Sequence, residues 1–262
     1  LGDVYKRQTM GSSPATIKTV LNEAAIIAAR KNEGIITREI LDEAWMKQLM
    51  EGHLKKNGEK DNVELVAWHE AGHALAGLMM GQDLTKVSII PSTSGAGGAT
   101  FITPKKLGLF TVDELREQVI MLYSGRNAEQ ILSEQNGIKN GVTTGASNDI
   151  KRATSEARAM VTKYGMSDKI GLISYGDDDD EVFIGRDLAH TRGYSEDVAK
   201  AIDSEIHRII EECHENAVKI ISQHMDVLHG CAKLLLEKEK VHREEFEALF
   251  TMENQGENNE SI

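Results

Sequence analysis

The fold is decided by the stretch Leu65-Val66-Ala67-Trp68-His69-Glu70-Ala71-Gly72-His73-Ala74-Leu75-Ala76-Gly77-Leu78-Met79-Met80. Its apolar residues recur with a helical period and it contains no proline, which predicts one largely buried helix. His69 and His73 stand four positions apart, so their imidazoles lie on one face of that helix and can reach the same metal ion. With Glu70 they form the pattern H-E-x-x-H. In this pattern two neutral imidazoles hold zinc, and the glutamate, which is not a ligand, handles the proton of the attacking water.

A purely structural role for the two histidines is the alternative, because a five-residue pattern also occurs by chance. The context favours the metal. A glutamate between two histidines is costly in an otherwise apolar helix unless a positive charge meets it.

Composition narrows the possible functions further. The chain has 262 residues, enough for one large domain or for a medium domain with an appendage. The net charge is −12 and basic residues form no stripe, so we expect no nucleic-acid partner. The longest apolar run is interrupted by His69, Glu70 and His73, so we expect no membrane span in this chain. Cys213 and Cys231 have no metal-binding spacing, which favours reduced thiols and a cytoplasmic location.

The ends of the chain and its N-terminal part show distinct patterns. Residues 1–10 lack periodicity, and we expect a non-native or disordered segment there. Helices are predicted at about 14–30 and 37–50, which together form a small hairpin. The polar segment 51–62 has the composition of a linker, and 253–262 has that of a disordered tail.

Two short segments predict a small β-sheet. Residues 85–90 and 99–103 alternate and are rich in β-branched residues, with a glycine-rich connection between them. The second strand is a candidate edge for pairing with an extended peptide, and a purely structural strand is an equal alternative. The substrate-binding candidates are therefore Gly98, Ala99, Thr100 and Phe101.

A catalytic zinc needs a third protein ligand, and the spacing alone leaves several candidates. Glu129 lies on a predicted helix. Asp149 lies in the first turn of another helix, with Ser147 or Asn148 as its expected cap, where the helix dipole favours an ionised carboxylate. A third histidine is the remaining possibility, although none follows in the short glycine-spaced continuation typical of all-histidine sites. The downstream histidines are His190, His207, His214, His224, His229 and His242.

Several motifs together resemble the peptidase domain of the FtsH family of membrane-bound, ATP-dependent zinc metalloproteases. The resemblance covers about Val63 to Phe250. The motifs are His69-Glu70-Ala71-Gly72-His73-Ala74, Lys86-Val87-Ser88-Ile89-Ile90-Pro91, Gly125-Arg126 with Ala128-Glu129, Thr143-Thr144-Gly145-Ala146-Ser147-Asn148-Asp149, Tyr164-Gly165-Met166-Ser167, Gly185-Arg186-Asp187 and Tyr194-Ser195-Glu196.

The resemblance implies a role for each candidate carboxylate. Asp149 matches the aspartate that serves as the third zinc ligand in the family. Glu129 becomes a candidate for orienting a zinc-bound histidine. It also implies one Zn²⁺ per chain and a homo-hexameric ring.

Residues 11–50 resemble the end of the helical lid of the family's AAA+ ATPase module. The chain contains no phosphate-binding loop of the type G-x-x-x-x-G-K-[ST], so it looks like a C-terminal fragment or a truncated homologue. ATP would act only through the missing ATPase module. The expected location is the cytoplasm, or the cytoplasmic face of a membrane if the full-length protein carries the family's anchor.

The sequence therefore predicts a mainly α fold with a small β-sheet, in which a zincin-like metallopeptidase domain over residues 63–252 ends in a C-terminal helical bundle. The expected function is zinc-dependent endopeptidase activity on unfolded or membrane-delivered polypeptides, as the proteolytic part of an ATP-dependent protease. The alternative is a non-catalytic oligomerisation module with structural zinc. The intact Glu70 argues against that alternative, because a structural zinc site needs no general base.

Overall fold

The computed structural model of this protein describes residues 12–49, 62–91, 97–103, 108–138, 141–175 and 194–257. Within these ranges the chain is mainly helical with one small sheet, as the sequence predicts. The helices are α1 (Pro14–Arg30), α2 (Arg38–Leu49), α3 (Val63–Met79), α4 (Val112–Gln135), α5 (Ser147–Thr162), α6 (Glu196–Gln223), α7 (Met225–Lys238) and α8 (Arg243–Glu257). The strands are β1 (Asp83–Ser88), β2 (Ala99–Thr103) and β3 (Lys240–His242).

Helix α3 carries the H-E-x-x-H pattern and is the central element of the fold. The prediction that it is largely buried is confirmed. Of the eleven residues from Ala67 to Gly77, ten are buried and only His69 is partly exposed. It packs against α4, α7 and the first two strands. Neighbours on so many sides explain why its apolar residues are not confined to one stripe.

Helix α4 connects two hydrophobic cores. It begins with a capping box, in which Thr111 and Glu114 each bond the other's backbone N–H. Its first half, including Val119, packs with α5 and α6, whereas Ala128 and Leu132 in its second half belong to the core around α3, the sheet and α7. One rigid helix therefore fixes the two halves of the domain relative to each other.

The sheet is antiparallel, in the order β2-β1-β3. Val87 on the central strand β1 lies opposite Thr100 on β2 and Val241 on β3. The two strands predicted from the sequence are present, and β2 lies at an edge of the sheet. The third strand was not predicted, because three residues are too few to show an alternating pattern.

Helices α1 and α2 form the predicted hairpin, with a small core of their own. Ser13 caps α1 by accepting a hydrogen bond from the backbone N–H of Thr16. Val20 and Ile27 on α1 pack against Ile40 on α2, among other residues of this cluster. The assignment of residues 11–50 to an ATPase lid stays a prediction.

Some of the sequence-based expectations lie outside the described residues. These are the N-terminal segment 1–10, nearly all of the linker 51–62 and the glycine-rich connection at 92–96. Helix α8 continues to Glu257, past the position where the polar tail is predicted to begin, and 258–262 lie outside the described part. Both cysteines are free and buried. Among the described helices, none has the length and apolar character needed to cross a bilayer.

Two adjacent leucines of α7 test the core that supports α3. Leu235 is fully buried in that core, whereas the side chain of Leu236 is 43 % exposed. We expect Leu235→Ala to lower the free energy of unfolding by about 2–5 kcal/mol, because it leaves a cavity. Leu236→Ala should cost less than about 1 kcal/mol. Urea denaturation of both variants measures the difference, and equal losses would contradict this packing.

Candidate metal centre

The two histidines of α3 face each other across one helical turn. The Nε2 atoms of His69 and His73 lie 3.0 Å apart, with their rings nearly perpendicular. The four-residue spacing produces this proximity, because residues i and i+4 are neighbours on one helix face. The expectation that both imidazoles point to a common position is confirmed.

The opposite ring nitrogens fix the tautomer of each histidine. His73 Nδ1 lies 2.8 Å from the backbone carbonyl oxygen of Met121, and His69 Nδ1 lies 2.7 Å from Oε1 of Glu129. A carbonyl and a carboxylate can only accept, so each Nδ1 carries a hydrogen and donates it. In the neutral rings each Nε2 atom then carries no hydrogen and has a free lone pair, which is the form that binds a metal ion.

Asp149 supplies a third oxygen at the same place. Its Oδ2 atom lies 3.2 Å from His69 Nε2 and 3.5 Å from His73 Nε2. The carboxylate comes from the first turn of α5, as predicted. The expected cap was wrong in detail: α5 begins at Ser147 directly after a 3₁₀ turn, and Thr143 at the start of that turn accepts a hydrogen bond from the backbone of Gly145.

Glu129 lies on the other side of His69. It is 1 % exposed, and besides contacting His69 it accepts hydrogen bonds from the backbone N–H and the hydroxyl of Thr143 at 3.2 and 3.3 Å. One carboxylate thus orients a histidine and holds the start of the loop that leads to Asp149. Of the two carboxylates that the spacing left open, Asp149 is the one that faces both Nε2 atoms.

The donor set fits a divalent cation. One ligand atom each from His69, His73 and Asp149 lies within 4.8 Å of the others, and the described residues contain no other such group of three. Two nitrogen lone pairs and a carboxylate oxygen repel one another at these distances unless a positive charge lies between them. Two imidazoles and one carboxylate also match the ligands of a catalytic zinc site, which keeps a fourth position open.

The pKa shifts at the site reflect the same need for positive charge. Burial by itself lowers the pKa of His69, but the contacts with Asp149 and Glu129 outweigh it and raise this pKa to about 10. Burial by itself raises the pKa of both carboxylates, yet their histidine partners hold each pKa below its usual value. The cluster therefore takes up a cation, which is a proton on His69 or a metal ion in its place.

Glu70 lies beside this cluster on the buried side of α3. It is 6 % exposed, and burial raises its pKa, although the histidines counteract this. Thr100 on β2 donates a hydrogen bond to Glu70 Oε2 at 2.7 Å. Of the four substrate-binding candidates, Gly98 and Thr100 lie next to Glu70, Ala99 begins the edge strand, and Phe101 lies beneath the ammonium group of Lys86.

Two supporting features of α4 were not predicted from the sequence. The Met121 carbonyl is a backbone group, which leaves no trace in the residue pattern. At Gly125 an added Cβ atom would lie only 2.5 Å from His73 Nε2, so the backbone of α4 forms a wall of the site. In the sequence, the Gly125-Arg126 pair carries a signal only as one of the motifs of the family resemblance.

Comparison with known proteins agrees with this geometry. The model of peptidase family M41 matches residues 57–249, which is most of the chain and includes every residue of the cluster. The chain belongs to peptidase family M41. The resemblance to FtsH metalloproteases is thereby confirmed, and a metalloprotease domain with a zinc cofactor is what this membership supports.

Curated relatives of this M41 chain are named FtsH. A Thermoanaerobacter protein named ATP-dependent zinc metalloprotease FtsH 1 is 42 % identical over 257 residues, covering 96 % of this chain and 41 % of its own length. The FtsH of Caldicellulosiruptor bescii is 45 % identical over 246 residues, with coverages of 92 % and 39 %. A chloroplastic FTSH of Medicago sativa is 37 % identical over 256 residues, with coverages of 95 % and 35 %. The chain spans about two fifths of the length of these relatives.

The high pKa of His69 predicts how metal affinity depends on pH in this M41 domain. The metal-free site keeps a proton on His69 up to a pH of about 10, and a metal ion must displace it. The apparent zinc affinity should therefore rise about tenfold per pH unit between about pH 7 and pH 8.5. Titration against a competing chelator measures this.

The Glu129→Gln variant is the control for this titration. It removes one of the contacts that raise the pKa of His69, so the dependence on pH should become shallower. An imidazole with the ordinary pKa of 6.5 would already be mostly deprotonated across this pH range. A constant affinity of the wild-type protein would therefore contradict the shifted pKa.

Proposed function

We propose that this chain is a zinc-dependent endopeptidase domain with a zincin-like site, in which His69, His73 and Asp149 hold the metal and Glu70 is the general base. The observation that supports this most directly is the convergence of two imidazole lone pairs and one carboxylate next to a buried glutamate. Peptidase family membership supports the reaction class.

The chemistry divides between the metal and the protein. A bound zinc ion would supply Lewis acidity, which polarises the scissile carbonyl and acidifies a water molecule. Glu70 accepts a proton from the attacking water as the new C–O bond forms, and passes it to the amide nitrogen as the C–N bond breaks. The burial that raises the pKa of Glu70 suits the first step, because a carboxylate with a higher pKa is a stronger base.

The remaining residues keep this arrangement in place. Glu129 and the Met121 carbonyl hold the two imidazoles in the tautomer that presents Nε2. The contact between Glu129 and Thr143 positions the loop before Asp149. Three ligands from two helices, with supports from a third, define the site before any metal arrives.

The substrate is an unfolded or extended polypeptide, and β2 is the strand that would pair with it. This strand lies at an edge of the sheet, and Thr100 brings it into contact with Glu70. Backbone pairing with an edge strand binds a peptide with little dependence on its sequence. Gly98, Ala99, Thr100 and Phe101 would line this position.

In the cell, this domain would be the proteolytic part of a larger ATP-dependent enzyme. The names of the relatives describe them as ATP-dependent, and the match with the Thermoanaerobacter protein covers 96 % of this chain, which is too much to leave out the α1–α2 hairpin. We assign residues 11–50 to the end of an AAA+ lid, 51–62 to a linker and 63–252 to the peptidase domain. A homo-hexamer at the cytoplasmic face of a membrane, with substrates delivered by the ATPase, completes the proposal.

A structural zinc in a non-catalytic oligomerisation module is the rival interpretation. Structural zinc sites are closed by four protein ligands, whereas the cluster found among the described residues has three. A structural zinc site also has no use for a buried glutamate beside its ligands, whereas a hydrolytic site uses one as the base for water.

The Glu70→Gln variant tests the general base. We expect it to bind about one zinc per chain, as we expect of the wild type. Its rate of hydrolysis of unfolded casein should be at least about 100-fold lower, because the amide accepts no proton. Glu64→Gln, an exposed position on the same helix, is the matched control and should keep its activity. Full hydrolysis by Glu70→Gln would overturn the mechanism, and zinc binding without hydrolysis in the wild type would favour the structural interpretation.

Two amide substitutions distinguish the candidate ligand from its neighbour. Asp149→Asn should lose stoichiometric zinc, because it removes the anionic oxygen that faces both Nε2 atoms. Glu129→Gln should still bind zinc, about 10–100-fold more weakly. Elemental analysis and chelator competition measure both, with circular dichroism as the check on folding. The reverse pattern would make Glu129 the ligand.

A further inference from the structure

The contact between β2 and the buried Glu70 indicates a role for this strand other than peptide binding. Thr100 Oγ1 lies 2.7 Å from Oε2 of Glu70 and 3.2 Å from the backbone carbonyl oxygen of the same residue. A hydroxyl has one hydrogen to donate, and the shorter distance is that expected of a hydrogen bond to an ionised carboxylate. The hydroxyl therefore donates mainly to the side chain of Glu70.

Among the residues that the structure describes, Thr100 is the one side chain that donates a hydrogen bond to the Glu70 carboxylate. The glutamate side chain is buried and has three rotatable bonds, so its oxygens need a partner that fixes their orientation.

The segment just before the strand restricts the glutamate from another direction. A Cβ atom at Gly98 would lie 2.8 Å from Cγ and 2.9 Å from Oε1 of Glu70. The backbone at Gly98 is thus in contact with the side chain, and Thr100 holds the other oxygen. Because Val87 on β1 pairs with Thr100, the position of this hydroxyl is fixed by the sheet.

We propose that Thr100 is a positioning residue for Glu70: its hydroxyl holds the carboxylate in the orientation in which it takes a proton from the attacking water. This rests on the proposed function of Glu70 as general base. It gives β2 a second role, because the strand that pairs with the substrate also orients the group that acts on it.

Two substitutions at this position separate the hydroxyl from the rest of the side chain. Thr100→Val keeps the shape and removes the donor, whereas Thr100→Ser keeps the donor and removes the methyl group. Thr85→Val is the matched control, because the Thr85 hydroxyl contacts that of Thr103 at 3.0 Å elsewhere in the same sheet. All three are compared with the wild type as zinc-loaded full chains, after zinc content and thermal unfolding have been measured.

The kinetic result expected is a change in kcat without a change in KM. On a quenched-fluorescence peptide, Thr100→Val should lower kcat about tenfold to hundredfold, since a misplaced catalytic group costs this much. KM should stay within about twofold. Thr100→Ser should recover kcat to within about threefold, and Thr85→Val should match the wild type. An unchanged kcat in Thr100→Val, a rise in KM alone, or an equal loss in Thr100→Ser would overturn the proposal.

A structural measurement keeps this test independent of turnover. In crystals of the Thr100→Val protein, the Glu70 carboxylate should lie more than about 0.5 Å from its wild-type position, a displacement that matters for catalytic geometry. If the zinc-loaded wild type hydrolyses nothing, the proposed function fails by itself, and the crystals still decide whether Thr100 positions Glu70. A carboxylate that stays in place without the hydroxyl overturns the inference.

Discussion

The repulsion between two imidazole lone pairs 3.0 Å apart is the constraint on which the metal centre depends. Both Nδ1 atoms donate to acceptors, so neither Nε2 can relieve the repulsion by donating a hydrogen while its ring is neutral. The Asp149 oxygen adds a third electron-rich atom at the same position. A positive charge at this position makes the arrangement favourable. For the same reason the contacts with Asp149 and Glu129 raise the pKa of His69.

The support for this constraint comes mainly from α4. This helix contributes Met121 and Glu129 as acceptors for the two imidazoles, and the backbone at Gly125 approaches the rings closely. Because α4 also belongs to both hydrophobic cores, a shift of the helix would disturb packing on each side of the domain. The orientation of the histidines is therefore coupled to the stability of the whole domain, which is how a site acquires the rigidity that catalysis needs.

The sequence predicted those parts of the site that local geometry determines. Helical periodicity places His69 and His73 on one face, and the position of Asp149 in a first turn follows from the loop before it. The choice between Asp149 and Glu129 did not follow from spacing, because both are tens of residues away along the chain and only tertiary packing decides which one faces Nε2. The family resemblance made that choice. Backbone contributions such as the Met121 carbonyl, and a strand as short as β3, leave no signal in the residue pattern.

The two edges of the sheet differ in a way that bears on substrate entry. The β3 edge leads directly into α8, where Arg243 forms an ion pair with Asp83 of the central strand. The β2 edge instead carries Thr100, whose hydroxyl reaches Glu70. Side chains alternate along a strand, so Thr100 faces α3 while Phe101 points to the opposite face, over which Lys86 lies. A peptide added at β2 would thus extend the sheet beside the Glu70 carboxylate, whereas one added at β3 would lie a further two strands away. The position of Glu70 relative to the sheet, more than any feature of the strand sequence, distinguishes β2 from β3 and supports the proposal that a substrate pairs with β2.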